Sequence, residues 1–116
     1  MPHIVLNGEV KVEEIFPKLQ PMFFKDENGI IKSSEFYISR HKNSIMVKTL
    51  SIEEEKKVSF FILINDRDDG IVIRIFPDFD IPKTNGVKKS LVIIANQIQR
   101  DFQKLSIGKT NLTEYL

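Results

Sequence analysis

The hydrophobic pattern is clearest in KVSFFILIN at residues 57–65, which alternates like a β-strand but is apolar on both faces. Successive strand side chains point to opposite sides, so the even positions from Val58 to Ile64 share one face. Phe61 and Leu63 lie on the other. The neighbouring runs SIMVKTLSI and GIVIRIF have the same two-sided character. We therefore expect the sheet to be covered on both faces.

Four strands are predicted in the middle of the chain, joined by the short connectors HKN, EEEK and DRDDG. Short connectors place consecutive strands beside each other in antiparallel pairs, so the pattern indicates a meander. A short strand, HIVL, precedes it near the N-terminus, and a turn-forming segment with prolines leaves the sheet after it. The four predicted strands are residues 34–40, 44–52, 57–65 and 70–76, and the segment that leaves is 78–85.

Two helices are predicted to pack on this sheet. From Gly86 to about Leu105, apolar residues recur at steps of three and four, which is typical of an amphipathic helix. Residues 13–24 show a similar spacing, with Pro17 and Pro21 in a first turn or at a kink. Because Asn7-Gly8 is also a hairpin signal, residues 9–12 are alternatively a return strand.

The predicted fold is therefore α+β. An antiparallel sheet, made of the four-strand meander and a short N-terminal strand, is packed by a long C-terminal amphipathic helix and a shorter N-terminal helix. We expect residues 1–105 to form one domain and residues 106–116 to form a polar C-terminal tail.

Composition narrows the function classes. With 116 residues, 41% hydrophobic and 28% charged, the chain is an ordinary folded domain. A net charge of +1 argues against general polyanion binding, although a local basic patch is compatible with it. The absence of cysteine excludes a thiolate metal site, two histidines disfavour a multi-histidine metal site, and we expect no cofactor. No apolar run is long enough for a membrane span, so we expect a cytoplasmic protein without a membrane partner.

If the even side chains of residues 57–65 face the long helix, the opposite side of the sheet mixes apolar, aromatic and basic residues. A second copy of the chain is one cover for it, and a homodimer is our first expectation for a non-enzymatic binding or assembly module. Single-stranded nucleic acid is the alternative, because aromatic side chains stack on bases and cations bind phosphates. The predicted face consists of Met46, Lys48, Leu50, Phe61, Leu63, Val72, Arg74 and Phe76, with Tyr37 beside them.

The start of the long helix is the second candidate site. Unpaired backbone N–H groups and nearby lysines suit phosphate or another anion. The alternative is that the lysines are solvated and that Thr84 or Asn85 is an ordinary N-cap. The residues concerned are Lys83, Thr84, Asn85, Gly86, Lys88 and Lys89. A third group of charged side chains is interpreted as solvated turn carboxylates: Asp66, Asp68, Asp69, Asp78 and Asp80.

Met1-Pro2-His3 stands at the head of the first strand. Removal of Met1 leaves Pro2 as an N-terminal secondary amine. This start, followed by a strand and a helix, resembles the tautomerase superfamily over residues 2–24. The resemblance implies an enol–keto tautomerase with Pro2 as the general base. The four-strand meander departs from the repeated β-α-β unit of that family.

Overall fold

The computed structural model describes residues 1–77 and 81–116. Within these ranges the chain forms one antiparallel sheet with the strand order β2-β3-β4-β5-β6-β1-β7. The α+β class and the antiparallel sheet are confirmed, but the predicted strand count is wrong, because five consecutive strands form the meander. The strands are β1 His3–Asn7, β2 Met22–Asp26, β3 Gly29–Ile38, β4 Ser44–Glu53, β5 Lys56–Arg67, β6 Gly70–Ile75 and β7 Ser106–Thr110. Asp78 and Asp80 of the acidic group lie outside the described residues.

The N-terminal helix is much shorter than predicted. Helix α1 is Val12–Ile15, and a 3-10 turn at Phe16–Lys18 follows it. Pro17 lies in that turn, and the chain is extended again at Leu19, where ψ is 135°. The prediction of a helix over residues 13–24 is therefore wrong beyond the turn, where the chain enters β2. The loop before α1 takes the place of the alternative return strand.

The C-terminal helix, α2, is Asn85–Asp101. It ends four residues before the predicted Leu105, because Phe102 leaves the helical conformation with φ −128° and ψ 74°. The chain then turns back and β7 pairs with β1. Residues 106–110, predicted as part of a polar tail, thus form the seventh strand, and Leu112 beyond them is buried.

Both helices pack on the same side of the sheet. Val12 and Ile15 of α1 share one buried cluster with Leu91 and Ile94 of α2. The sheet contributes its inward side chains to that cluster: Ile4, Leu6, Ile45, Val47, Phe60, Ile62, Ile64, Ile71, Ile73 and Ile75. Within residues 1–77 and 81–116, no helix covers the opposite side. That side is where a binding surface has room to form.

No helix in the described ranges has the length and apolar character needed to cross a membrane.

Candidate functional site: the outward sheet face

The outward face is the side of strands β2 to β6 turned away from both helices. Register pairing arranges its side chains in rows across the strands. One row runs through Lys48 and Phe61 and reaches Phe76, whose N–H donates to the Phe61 carbonyl at 2.8 Å. The next row aligns Tyr37, Met46, Leu63 and Arg74. All eight residues predicted for this face lie on it: Met46, Lys48, Leu50, Phe61, Leu63, Val72, Arg74 and Phe76.

The outward face exposes aromatic rings. Tyr37 is 50% exposed, and Phe23 at the edge strand β2 is 65% exposed. Phe61 and Phe76 are half-buried against their row neighbours. Leu63, near the centre, is nearly covered by the side chains around it. The face therefore offers ring surface at several places along and across the strands.

The outward face is strongly biased in charge. Cations occupy outward register positions in β2, β3, β4, β5 and β6, against one carboxylate, Glu35, on these described strands. A further cation, Arg67, is neutralised by Asp69 at 2.9 Å in the β5–β6 hairpin. The five remaining cations are Lys25, Lys32, Lys48, Lys57 and Arg74, and all but Arg74 are exposed. An anionic ligand is favoured over a cationic one here.

Glu35 is bound by two neighbours on the face. The Tyr37 hydroxyl donates to its carboxylate at 2.6 Å, and the Lys48 ammonium lies 3.3 Å away. The hydrogen bond from Tyr37, followed by that from Lys48, lowers the pKa of Glu35 below its usual range. The same hydrogen bond raises the pKa of Tyr37. At neutral pH the carboxylate is therefore ionised and the phenol keeps its proton.

Arg74 is the most enclosed cation of the face. Its Nη2 donates to the Asn65 side-chain oxygen at 3.3 Å. Its Nε is buried and has no hydrogen-bond partner among the described residues. Because a guanidinium offers several N–H groups in a plane, Arg74 retains donors for a further acceptor.

The residues predicted as an anion site at the start of α2 have partners within the chain. The Thr84 hydroxyl accepts the Val87 N–H at 3.2 Å, and the Glu53 carboxylate accepts the Gly86 N–H at 2.9 Å. Glu53 thus supplies the negative charge that the helix terminus favours. A phosphate at this terminus would have to displace that carboxylate.

The side chains around that terminus are engaged as well. Asn85 accepts the Tyr115 hydroxyl at 2.6 Å, and the Lys88 ammonium lies 6.0 Å from the Tyr115 ring. Lys89 pairs with Asp26 at 2.7 Å, and Lys83 donates to the Ile81 carbonyl at 2.8 Å. The predicted residues are therefore brought together, but as part of the packing of α2 against the sheet and the C-terminal residues.

Pro2, the residue singled out by the tautomerase resemblance, is buried at the start of β1. The Asn111 side chain ties this end of the chain to the segment after β7. Its amide donates to the Met1 carbonyl at 2.7 Å, and its oxygen accepts the His3 N–H at 3.0 Å. In the part of the chain that the structure describes, no group of three acidic, histidine or cysteine side chains is arranged to hold a metal ion.

Several residues of the outward face were missed by sequence reasoning, namely Phe23, Lys25, Lys32, Glu35, Lys57 and Ser59. Phe23 and Lys25 belong to β2, which the helical spacing of residues 13–24 concealed. The signal was the turn DENG between two short alternating runs, which is typical of a hairpin.

Comparisons with protein-family models, with curated proteins and with solved structures find no match to this chain.

Proposed function

We propose that this protein binds single-stranded nucleic acid on its outward sheet face. The observation that carries the proposal is the alternation of aromatic rings and cations in rows on a sheet face that both helices leave uncovered. Sheet surfaces bind single strands by stacking bases on aromatic side chains and by pairing phosphates with lysine and arginine. No metal or catalytic group is needed for this function.

The residues divide into two roles. The stacking groups are Tyr37, Phe61 and Phe76. Their rings lie on β3, on β5 and directly after β6, so they are spread across the face. Lys32, Lys48, Lys57 and Arg74 are the phosphate-binding groups. From β2 to β6 the face spans four inter-strand spacings, about 19 Å, which accommodates several nucleotides of an extended strand.

Self-association through the same face is the competing proposal. A symmetric dimer places identical patches against each other, so the five cations of one copy would meet those of the other. Among the outward positions of the described strands, Glu35 is the one carboxylate that offsets them. Because opposed like charges weaken association, the charge bias favours a polyanion over a second copy.

The test is a titration of labelled oligothymidine with the full chain, followed by fluorescence anisotropy at several salt concentrations. For single strands, the slope of log affinity against log salt is about −0.7 for each phosphate neutralised. The double variant Lys32→Ala/Lys57→Ala is expected to bind more weakly and to reduce that slope by about 1.4, twice this increment.

The matched control is Arg100→Ala/Lys104→Ala, which removes two exposed cations at the helix side of the molecule. Its affinity and slope should stay near those of the unmodified protein. The proposal fails if the unmodified protein shows no salt-dependent binding, or if both double variants lose affinity equally.

A further inference from the structure

We infer that Arg74 forms a fixed subsite for one phosphate group on the outward face, so that a bound strand is positioned there and is not held by exposed lysines alone. The inference deepens the proposed function and rests on it for the source of the phosphate. The Nε of Arg74 is buried and has no hydrogen-bond partner among the described residues. Because an unpaired buried N–H is uncommon and costs free energy, a bound anion that stabilises the guanidinium offsets that cost.

Two side chains on the neighbouring strands hold the guanidinium. Its Nη2 donates to the Asn65 Oδ1 at 3.3 Å, and the Asn65 Nδ2 donates in turn to the Ser44 Oγ at 2.7 Å. Asn65 is the register partner of Ser44 on β4 and of Val72 on β6. The side chain of Arg74 therefore runs back along β6 toward Val72, away from Phe76 and the residues that follow it.

The hydrogen-bonding capacity of each group fixes this arrangement. A guanidinium only donates, so the Asn65 oxygen must face Arg74, whereas the Ser44 hydroxyl can accept the amide N–H. The three polar side chains thus form one directed series from β4 to β6. A guanidinium held in this way loses less freedom on binding an anion than an ammonium on the flexible stem of a lysine.

Apolar residues stand beside Arg74 in the register of the sheet. Leu63 is its partner on β5, and Val5 on β1 is the partner of Val72. Leu63 is 8% exposed and Val5 is 2% exposed, although both lie on the side of the sheet that the described helices leave uncovered. Surroundings that exclude water strengthen a charge-assisted hydrogen bond.

The Nη end of Arg74 supplies the donors for the phosphate. Among the described residues, Asn65 is the acceptor that engages the Nη groups, and it engages Nη2. Parallel N–H groups of a guanidinium bind two oxygens of one phosphate. Glu35, the carboxylate of the face, is bound instead by Tyr37 and Lys48 on β3 and β4.

The first experiment follows the Arg74 Nε–H by proton–nitrogen NMR, assigned by through-bond correlation to the Arg74 backbone. Burial protects this N–H from exchange with water, so its signal is observable. Titration of the unmodified protein with inorganic phosphate should shift the signal saturably, and oligothymidine should shift it as well. In Asn65→Ala, which releases the guanidinium, a higher phosphate concentration should be needed. An Arg74 signal that neither ligand shifts would overturn the inference.

The second experiment compares Arg74→Lys with the matched control Arg67→Lys in the oligothymidine titration at several salt concentrations. Both substitutions keep the positive charge, so the salt slope should stay that of the unmodified protein. Arg74→Lys should bind about tenfold more weakly, the equivalent of one charge-assisted hydrogen bond. Arg67→Lys should keep the full affinity, because its cation is already paired with Asp69.

The two experiments separate the subsite from the proposed function. Equal affinity of Arg74→Lys and the unmodified protein for oligothymidine would overturn the inference and leave the proposed function standing. If no strand binds the unmodified protein, the proposed function fails. A saturable shift of the Arg74 signal with inorganic phosphate would then still establish the subsite, and its absence would overturn the subsite too.

Discussion

Three strand carboxylates point to the helix side of the sheet, where each one meets a donor. Glu53 accepts the Gly86 N–H, Asp66 accepts the Val12 N–H at 2.8 Å, and Asp26 pairs with Lys89. The first two place negative charge at helix starts, where it is stabilising. With these three acids on the helix side, Glu35 is the one carboxylate that opposes the cations at the outward positions of the described strands.

Replacing Glu35 with glutamine is expected to strengthen nucleic-acid binding, because it removes a negative charge from the face and releases Lys48 to pair with phosphate. It should also lower the pKa of Tyr37 toward its ordinary value of 10.0, since the charged acceptor is lost. Ultraviolet titration of the phenol, in a Tyr115→Phe background, measures the second effect. An unaltered Tyr37 titration would contradict the hydrogen bond, and Glu27→Gln is the control for both measurements.

The Asp26–Lys89 pair makes a prediction about acid stability. The hydrogen bond from Lys89, and then that from the Asn28 N–H, hold the pKa of Asp26 below its ordinary value of 3.8. Because the folded pKa is the lower one, this stabilisation is present above the unfolded value and is lost as pH falls through the folded value. Asp26→Asn should therefore be less stable near neutral pH and lose less stability on acidification.

Urea denaturation of Asp26→Asn and the unmodified chain at a series of pH values measures this difference. The two midpoints should converge between about pH 5 and pH 2. Glu27 lies in the same turn, and its side chain forms no hydrogen bond or ion pair with any described residue. The control variant Glu27→Gln should therefore leave the pH profile unchanged. Parallel profiles for Asp26→Asn and the unmodified chain would exclude the pair as a source of acid sensitivity.

At the scale of elements, α2 fixes the irregular segment between α1 and β2. The Gln97 side chain is buried and forms two bonds to the main chain of Gln20. Its oxygen accepts the Gln20 N–H at 2.9 Å, and its amide donates to the Gln20 carbonyl at 3.1 Å. This segment has little regular structure of its own, so the amide replaces the backbone pairing that a strand or helix would provide.

Gln97→Leu keeps the size of the side chain but leaves both main-chain groups of Gln20 without partners. We expect a loss of about 1–3 kcal/mol in the free energy of unfolding, the usual net contribution of two hydrogen bonds, since the bonds to Gln20 are only partly buried. Chemical denaturation measures it. Asn96→Ala, at an exposed neighbouring position of α2, should stay within about 0.5 kcal/mol. Equal effects of the two substitutions would show that the hydrogen bonds between Gln97 and Gln20 contribute nothing to stability.

The sequence predicted the elements that alternate over long stretches and have neighbours on both sides. The strands expected at 44–52, 57–65 and 70–76 lie close to β4, β5 and β6. The edge strands were not predicted, for a physical reason. β7 is short and polar because an edge strand needs only one partner and little apolar surface. The apolar residues of β2 also fit a helical period. The helical turn that contains Pro17 ends before them, and the chain continues as an extended strand.

The outward face shows the same limit. Its eight predicted residues follow from strict alternation in the central strands. The residues added by β2 and β3 depend on pairing between Phe23 and Lys32 and on an irregularity near Glu35.

At the scale of the whole molecule, a net charge of +1 conceals a separation of charges between the two sides of the sheet. Lysine and arginine predominate at the outward positions of the described strands, and Asp26, Glu53 and Asp66 face the helices, while the charges elsewhere in the chain bring the sum to +1. A polyanion therefore meets a local field that the total does not reveal.

This separation predicts how salt acts on association. Sedimentation velocity of the unmodified protein at low salt should give the mass of one chain, because the outward faces of two copies repel. Added oligothymidine should raise the mass to that of a one-to-one complex, and higher salt should dissociate it. A dimer already present at low salt that strengthens as salt rises would support self-association through the face instead.

The position of β1 between β6 and β7 has a consequence for the order of folding. The meander from β2 to β6 closes through short hairpins, whereas the first strand finds its partners about seventy and a hundred residues later in the chain. Pairings of such separation carry the larger loop-closure cost and form late. During synthesis, β1 leaves the ribosome before the meander and is nevertheless placed after it. Until then β6 presents an open edge, so the nascent chain is most prone to mispairing there.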